Sequence, residues 1–332
     1  MIITRTPVRV SFLGGGTDYP DYFRQHGGQT LGAAIDKYTY ITVNPLADLF
    51  EHTIRVSYSR TELVKSLDQI EHPAVRECLR FLNLDGGIEI NVVADLPARI
   101  GLGSSSSFTV GLLYALHAFK GELVHNGQLA AEAVYVEQEM IRERVGVQDQ
   151  YTCAHGGLVH LLFSRDGSIR VSPLPLRTER LAELQAHLML FYTGIRRHAH
   201  EVLDEQLERT KQGTISKDLS YLSDLVDQGL EVLTNEQPIT CFGELLHTAW
   251  MTKRRLSSKI SNPVIDKYYD RAREAGAVGG KLLGAGGGGC LLLLVEPDNQ
   301  PSVKRALTDL RYVPFTFDYS GSSLVFYKPR SD

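Results

Sequence analysis

Leu96-Pro97-Ala98-Arg99-Ile100-Gly101-Leu102-Gly103-Ser104-Ser105-Ser106-Ser107 joins two segments of different period. Before it, Ile88, Ile90, Val92, Val93 and Ala94 read as a mostly buried strand. After it, Phe108, Leu112, Ala115, Leu116 and Phe119 recur at helical spacing. Two glycines and four serines therefore stand at a helix N-terminus. Glycine lets the backbone approach an oxygen-rich ligand, and free N–H groups with the helix dipole favour negative charge. Serine hydroxyls donate to phosphate and ligate hard metal ions. The stretch reads as a cradle for a nucleoside triphosphate.

Two rival readings need weighing. Gly101 to Ser106 comes close to the dinucleotide pattern GxGxxG, with Glu122 at a suitable distance. A dinucleotide fold needs a strand directly after the helix. Here a second helical pattern follows and the third glycine is missing. A purely structural turn stays open, although four consecutive serines are an odd choice for one. No GxxxxGK[ST] occurs, so this is not a Walker loop.

The chain has 332 residues, enough for two domains, with 43% hydrophobic and 22% charged residues. A net charge of −4 gives no global field for nucleic acid. No apolar run approaches the ~20 residues of a membrane span. The N-terminus lacks the apolar core of a signal peptide. Cys78, Cys153, Cys241 and Cys290 form no CxxC pair, which predicts reduced thiols, no zinc site and a cytoplasmic home.

Working outward from the cradle, strands are expected at 2–12, 30–35, 38–44, 54–58 and 88–94, with helices at 61–68, 73–82 and 128–144. The second half is expected to hold strands at 187–192, 290–295 and 322–327. Its helices fall at 198–211, 216–235, 240–258, 263–275 and 301–310. This predicts two mixed α/β units, 1–177 and 178–332, with a cleft between them.

Three further segments carry chemistry. Arg5-Thr-Pro-Val-Arg9 puts two arginines on one strand face, ahead of Gly14-Gly15-Gly16-Thr17-Asp18-Tyr19. Asp and Thr at such a turn suit polyol hydroxyls, although an Asx turn with surface arginines explains the same residues. The run Gly284 to Gly289, with Gly286 and Gly287, lies near Lys281 and suits close approach to a phosphate; a hinge is the plainer alternative. Glu137 shares a helix face with Ala130, Val134 and Ile141, so its carboxylate needs a partner, and a metal ion is one. Asp149 follows in Gly146-Val-Gln-Asp149-Gln-Tyr, where a lone Asp is ordinarily a turn residue. Arg196 and Arg197 are phosphate candidates, because guanidinium forks match phosphate oxygens.

Together these segments resemble the GHMP kinases, from Arg5 to Cys290 and in that family's order. The resemblance implies an α+β two-domain fold, with an N-terminal α/β domain, a C-terminal ferredoxin-like domain and the active site between them. It implies ATP on Pro97, Gly101, Leu102, Gly103, Ser104, Ser105, Ser106 and Ser107, and magnesium on Ser105 and Glu137. Asp149 falls at the family's base and Arg9 at its activating basic residue. Gly15, Gly16, Thr17, Asp18, Lys281, Gly286 and Gly287, with Arg196 and Arg197, are then the substrate contacts. Galactokinases carry Gly-Glu-His-Thr-Asp-Tyr in the first motif, and this chain lacks the Glu-His. Gly-Gly-Gly-Thr-Asp-Tyr paired with Gly-Val-Gln-Asp-Gln-Tyr looks like the heptose and fucose kinase branch. The two arginines would suit a sugar that already carries a phosphate. The implied partner is a small sugar phosphate, with no nucleic acid and no membrane, and with a homo-oligomer left open. A hexose 1-kinase and a non-catalytic nucleotide-binding regulator are the alternative expectations.

Overall fold

The strand that carries Arg9, β1 (Ile2–Leu13), changes character along its length. Burial alternates from Ile2 to Arg5 and is continuous from Thr6 onward, as expected where a half-exposed strand becomes covered on both faces. The computed structural model describes residues 1–195, 199–235 and 237–328. After β1 come α1 (Pro20–His26), β2 (Gly28–Pro45), β3 (Ile54–Ser57), β4 (Thr61–Val64), α2 (Pro73–Phe81) and β5 (Ile88–Ala94). The cradle then opens α3 (Ser104–Lys120), followed by α4 (Asn126–Tyr135), α5 (Gln148–His155), β6 (Leu158–Phe163) and β7 (Ile169–Pro173). The second half contains α6 (Thr178–His187), β8 (Leu188–Tyr192), α7 (Ala199–Lys211), α8 (Ser216–Thr234), α9 (Ile239–Lys253) and α10 (Pro263–Glu274). It ends with β9 (Ala277–Leu282), β10 (Cys290–Val295), α11 (Gln300–Ala306), β11 (Arg311–Tyr312) and β12 (Ser323–Tyr327).

Eight strands form the first sheet, in the order β12-β1-β2-β5-β3-β4, with β6 on β2 and β7 on β6. The long β2 serves two neighbours. Its first part pairs with β6 and its last part with β5, while β1 runs along most of it. The second sheet has the order β11-β8-β10-β9 and is antiparallel throughout. A single core cluster crosses between the halves. Phe12, Leu13 and Leu31 from the first sheet join Leu222, Val226, Phe242 and Trp250 from the helices and Leu291 to Leu293 from β10. Phe12 meets the Phe242 ring edge-on at 5.6 Å. The two halves therefore share one core, which holds them in fixed relation.

Several expectations change. The division at residue 177 is crossed, because β12 returns to the first sheet beside β1. Segment 61–68 is not a helix: Thr61–Val64 pairs with β3, and Leu67–Gln69 is a single tight turn. Glu62 explains this, since its buried carboxylate accepts the Glu71 and His72 N–H groups and the Tyr58 hydroxyl. Long-range pairing there overrides helix propensity. The strands expected at 30–35 and 38–44 are one strand. The helix expected at 128–144 stops being regular at a π-turn, Val136–Met140, which carries Glu137. Helix α5 and strands β6, β7 and β9 had no clear periodic signal. The four cysteines are free thiols. No helix among the described residues is long and apolar enough to cross a membrane.

Strand β9 lies against α9 through two glycines. A Cβ on Gly279 would stand 1.9 Å from the Gly243 carbonyl oxygen, and one on Gly243 would stand 2.8 Å from Val278 Cγ1. Gly279→Ala is therefore expected to push the helix off the sheet and cost about 1–3 kcal/mol, the range for overpacking. Urea unfolding tests this: the midpoint falls with the slope unchanged, and an unshifted midpoint would show that the contact yields freely.

Candidate active site

The cradle is shaped by what presses on it from outside. Gly101 and Gly103 have φ of +89° and +71°. A Cβ on Gly101 would meet the Leu283 carbonyl oxygen at 2.6 Å; one on Gly103 would meet Arg9 Cγ and Asp149 Oδ2 at 3.2 Å. Gly103 caps α3 without a side-chain hydrogen bond to the helix, so the first N–H groups stay available to an anion. The four serines diverge as the helix turns. Ser104 Oγ accepts the Arg99 N–H at 3.3 Å, and Ser105 is exposed. Ser106 Oγ donates to Glu137 Oε2 at 3.0 Å. Ser107 is buried and donates to the Thr6 carbonyl at 3.0 Å, which seats α3 on β1. Ser107 is thus a packing residue, not a ligand contact. Leu102 is likewise buried, offering only its carbonyl, which accepts the Arg9 N–H at 2.9 Å. Pro97 stands exposed on the outer part of the loop.

Arg9 and Asp149 face each other across the cradle. Arg9 Nε and Nη2 donate to Asp149 Oδ1 and Oδ2, both at 2.7 Å, and Nη1 donates to the Gly101 carbonyl at 2.8 Å. The pair is a two-pronged fork, the strong geometry for arginine and carboxylate. Burial weakens the Arg9 charge, but Asp149 outweighs it and holds the guanidinium pKa above its usual value. The Asp149 side chain keeps 23% exposure where Arg9 keeps 4%, so the carboxylate is the open end of the pair. Behind it, burial pushes the Cys153 thiol pKa well up, and the Asp149 charge adds to this.

Asp18 stands beside them. Burial raises its pKa, and the neighbouring Asp149 charge raises it further. Its Oδ1 accepts the Gly16 N–H at 3.0 Å, and its main-chain carbonyl accepts the Val147 N–H at 3.1 Å. Gly146 must be glycine for this approach, because a Cβ there would sit 1.8 Å from Asp18 Oδ2. Two sequence segments, Gly14–Asp18 and Gly146–Asp149, thus converge on one carboxylate pair.

Other expected contacts prove structural. Thr17 is fully buried; its hydroxyl shares its one hydrogen between the Gly14 and Gln29 carbonyls and accepts the Gln29 N–H, which ties the turn to β2. Lys281 is 3% exposed and donates to the Phe12 carbonyl at 2.8 Å. Burial holds its pKa well down, helped by the charges of Lys253 and Arg9. The Gly287 N–H donates to the Ile260 carbonyl at 2.9 Å. A Cβ on Gly286 would stand 2.8 Å from Ile260, so these glycines serve chain packing. Gly15 remains open beside Ser11 and Gln148. Arg196 and Arg197 lie outside the described residues.

Residues 63–157 match the model described as GHMP kinases N terminal domain, and residues 230–312 match GHMP kinases C terminal. The chain belongs to the GHMP kinases. Like that family it is an ATP-dependent kinase, and the expected fold class holds. Among curated relatives, D-glycero-alpha-D-manno-heptose 7-phosphate kinase of Campylobacter jejuni is 27% identical, over 92% of this chain and 93% of that one. The L-fucokinase/L-fucose-1-P guanylyltransferase of Bacteroides fragilis is 25% identical, over 96% of this chain and 38% of that protein. Among solved structures, a D-glycero-D-manno-heptose 1-phosphate kinase from Bacteroides thetaiotaomicron superposes with a TM-score of 0.75 at 24% identity, covering both chains in full. At that identity the likeness speaks for the GHMP fold alone.

In this GHMP kinase, Glu137 is fully buried. Its carboxylate accepts the Ser106 hydroxyl, the Thr109 hydroxyl at 2.9 Å and the Gln150 amide. Burial pushes its pKa up to about 7, against the partial relief of those hydrogen bonds. Sequence spacing missed Thr109 and Gln150, because nothing local marks them as neighbours of Glu137. The Ser106 and Thr109 hydroxyls and the Glu137 carboxylate are oxygen ligands at the cradle, and they suit a hard divalent cation completed by phosphate oxygens, while Gln150 meets the carboxylate through its amide nitrogen. The serine in contact with Glu137 is Ser106, not Ser105.

The raised Glu137 pKa makes stability pH-dependent. A carboxyl held above its usual 4.5 adds stability that is full below that value and is lost as pH rises through about 7. The metal-free protein is expected to melt at lower temperature at about pH 8 than at about pH 5, beyond the trend of Glu137→Gln, which carries no charge to lose. Parallel melting curves for the two proteins across that range would remove Glu137 from the explanation.

Proposed function

We propose that this protein transfers the γ-phosphoryl group of ATP to the anomeric hydroxyl of D-glycero-D-manno-heptose 7-phosphate, giving the 1,7-bisphosphate for nucleotide-activated heptose and surface glycans such as lipopolysaccharide or capsule. The carrying observation is the open Asp149 carboxylate, held by Arg9 at the mouth of an ATP cradle, in a chain co-extensive with the Campylobacter heptose phosphate kinase. The fucokinase relative favours a second reading, an L-fucose-type hexose 1-kinase, but this chain spans only 38% of that protein. A regulator that has lost catalysis is disfavoured by the intact Arg9–Asp149 pair. A cytoplasmic location suits an ATP-consuming enzyme.

In this mechanism the N–H groups at the start of α3 hold the ATP phosphates. Asp18 and Gly15–Gly16 orient the sugar. Asp149 accepts the proton of the anomeric hydroxyl as its oxygen bonds to the γ-phosphorus, and the bond to the bridging oxygen breaks to release ADP. An anomeric hydroxyl is more acidic than an ordinary alcohol, so a carboxylate suffices as base. Arg9 fixes the direction of the Asp149 carboxylate and places positive charge beside the transferring group. Ser106 and Glu137 would hold magnesium, which when bound neutralises phosphate charge. Arg196 and Arg197 are proposed to read the phosphate already on the sugar, a role suited to guanidinium forks.

Asp149→Asn is expected to lower kcat by about 10²-fold or more, the size of a general-base effect, with ATP binding retained. The assay is ADP release on D-glycero-D-manno-heptose 7-phosphate beside L-fucose, galactose and mannose. Near-normal turnover in the variant sinks the base assignment, and a wild-type preference for a neutral hexose sinks the substrate. Ser106→Ala is expected to raise the magnesium concentration needed for half-maximal rate by more than Ser105→Ala does. The reverse order would return the metal to Ser105.

A further inference from the structure

Helix α7 shows a polar residue where its pattern calls for an apolar one. Leu203, Gln206, Leu207 and Thr210 are buried among its described side chains, spaced as one inward stripe. Gln206 is 4% exposed. Its main-chain carbonyl accepts the Thr210 hydroxyl at 2.9 Å, yet its side-chain amide bonds no described residue. Gln206 is not one of the buried polar side chains left without a partner, so its amide meets solvent, and a ligand can take the place of that water.

The position of the amide says what such a ligand would be. A Cβ on Gly16 would stand 3.3 Å from Gln206 Nε2, with Leu219 and Leu256 as its other neighbours. Gly16 donates its N–H to Asp18, so the amide looks onto the turn that carries Asp18. The helix is anchored there from several sides. Arg144 pairs with Asp204 at 2.5 Å, and Glu205 accepts the Ser257 hydroxyl at 2.9 Å and the Ser258 N–H at 3.2 Å. Gln206 is therefore held in place before any ligand arrives. An amide offers two donors and one acceptor group without net charge. That matches a hydroxyl, which both gives and takes a proton, better than a phosphate, which calls for cations.

We propose that Gln206 is a specificity-determining residue: its amide hydrogen-bonds a non-reacting hydroxyl of the phosphate acceptor at the Gly15–Gly16 turn. This rests on the reading of the acceptor as a sugar. A site built to hydrogen-bond a hydroxyl discriminates against the analogue that lacks it.

The test crosses enzyme variants with monodeoxy analogues of whichever sugar the wild type turns over fastest. One analogue is expected to lose about tenfold in kcat/KM with the wild type. Gln206→Leu is expected to lose a similar factor on the parent sugar, mainly in KM, and no more on that analogue, with the KM for ATP unchanged. An equal loss on every analogue, or no loss at all, overturns the proposal. Gln206→Asn keeps an amide but withdraws it by one methylene, and gives the same readout if the leucine variant does not fold. The wild-type row judges the sugar reading separately: no turnover on any sugar defeats that reading, whereas a uniform variant row defeats only the role of Gln206.

Discussion

Everything at the cleft is arranged around the fork between Arg9 and Asp149. Arg9 comes from the buried stretch of β1, and its guanidinium reaches Asp149 on α5 and the Gly101 carbonyl at once. One side chain therefore links the central sheet, the cradle and the helix that bears Asp149. Breaking such a buried pair costs more than its net worth, since the remaining charge is left without compensation. The glycines of the cradle follow from this constraint. Gly103 lies against the fork itself, and Gly101 against the end of β9, so the backbone must pass where no side chain fits.

Charge is distributed around the fork in a consistent way. Asp18 and Asp149 repel each other, and burial adds to the cost of charging Asp18. Glu137 is buried, and its carboxylate accepts from three hydrogen-bond donors among the described residues. The lysines nearest the site are tied to main-chain carbonyls, Lys281 to Phe12 and Lys253 to Gly284. Both are buried and brace β1, α9 and the glycine run.

Much of this was legible in the amino-acid sequence. The cradle, its strand and its helix follow from two periodicities meeting at a glycine–serine run. The helices of the second half, from α8 to α10, follow from apolar spacing and terminal signals such as Asn262 ahead of Pro263. What escaped was non-local. The first sheet recruits β12 from the far end of the chain, and β4 exists because Glu62 anchors the next turn. The short strands β6 and β7 depend on pairing for their identity.

The sequence by itself determined the kind of chemistry: an anion cradle, carboxylates at fixed spacing from it, and arginines on a buried strand. Those are local properties of residue type and period. Only the tertiary structure decided which of the candidate side chains face the cleft. It assigned Ser106 rather than Ser105 to Glu137, turned Thr17, Lys281 and Gly287 to structural use, and left the Gln206 amide beside Gly16. The reason is physical: a hydroxyl, an ammonium or an amide bonds whatever partner packing brings within about 3 Å, and packing is set by contacts distant in the chain.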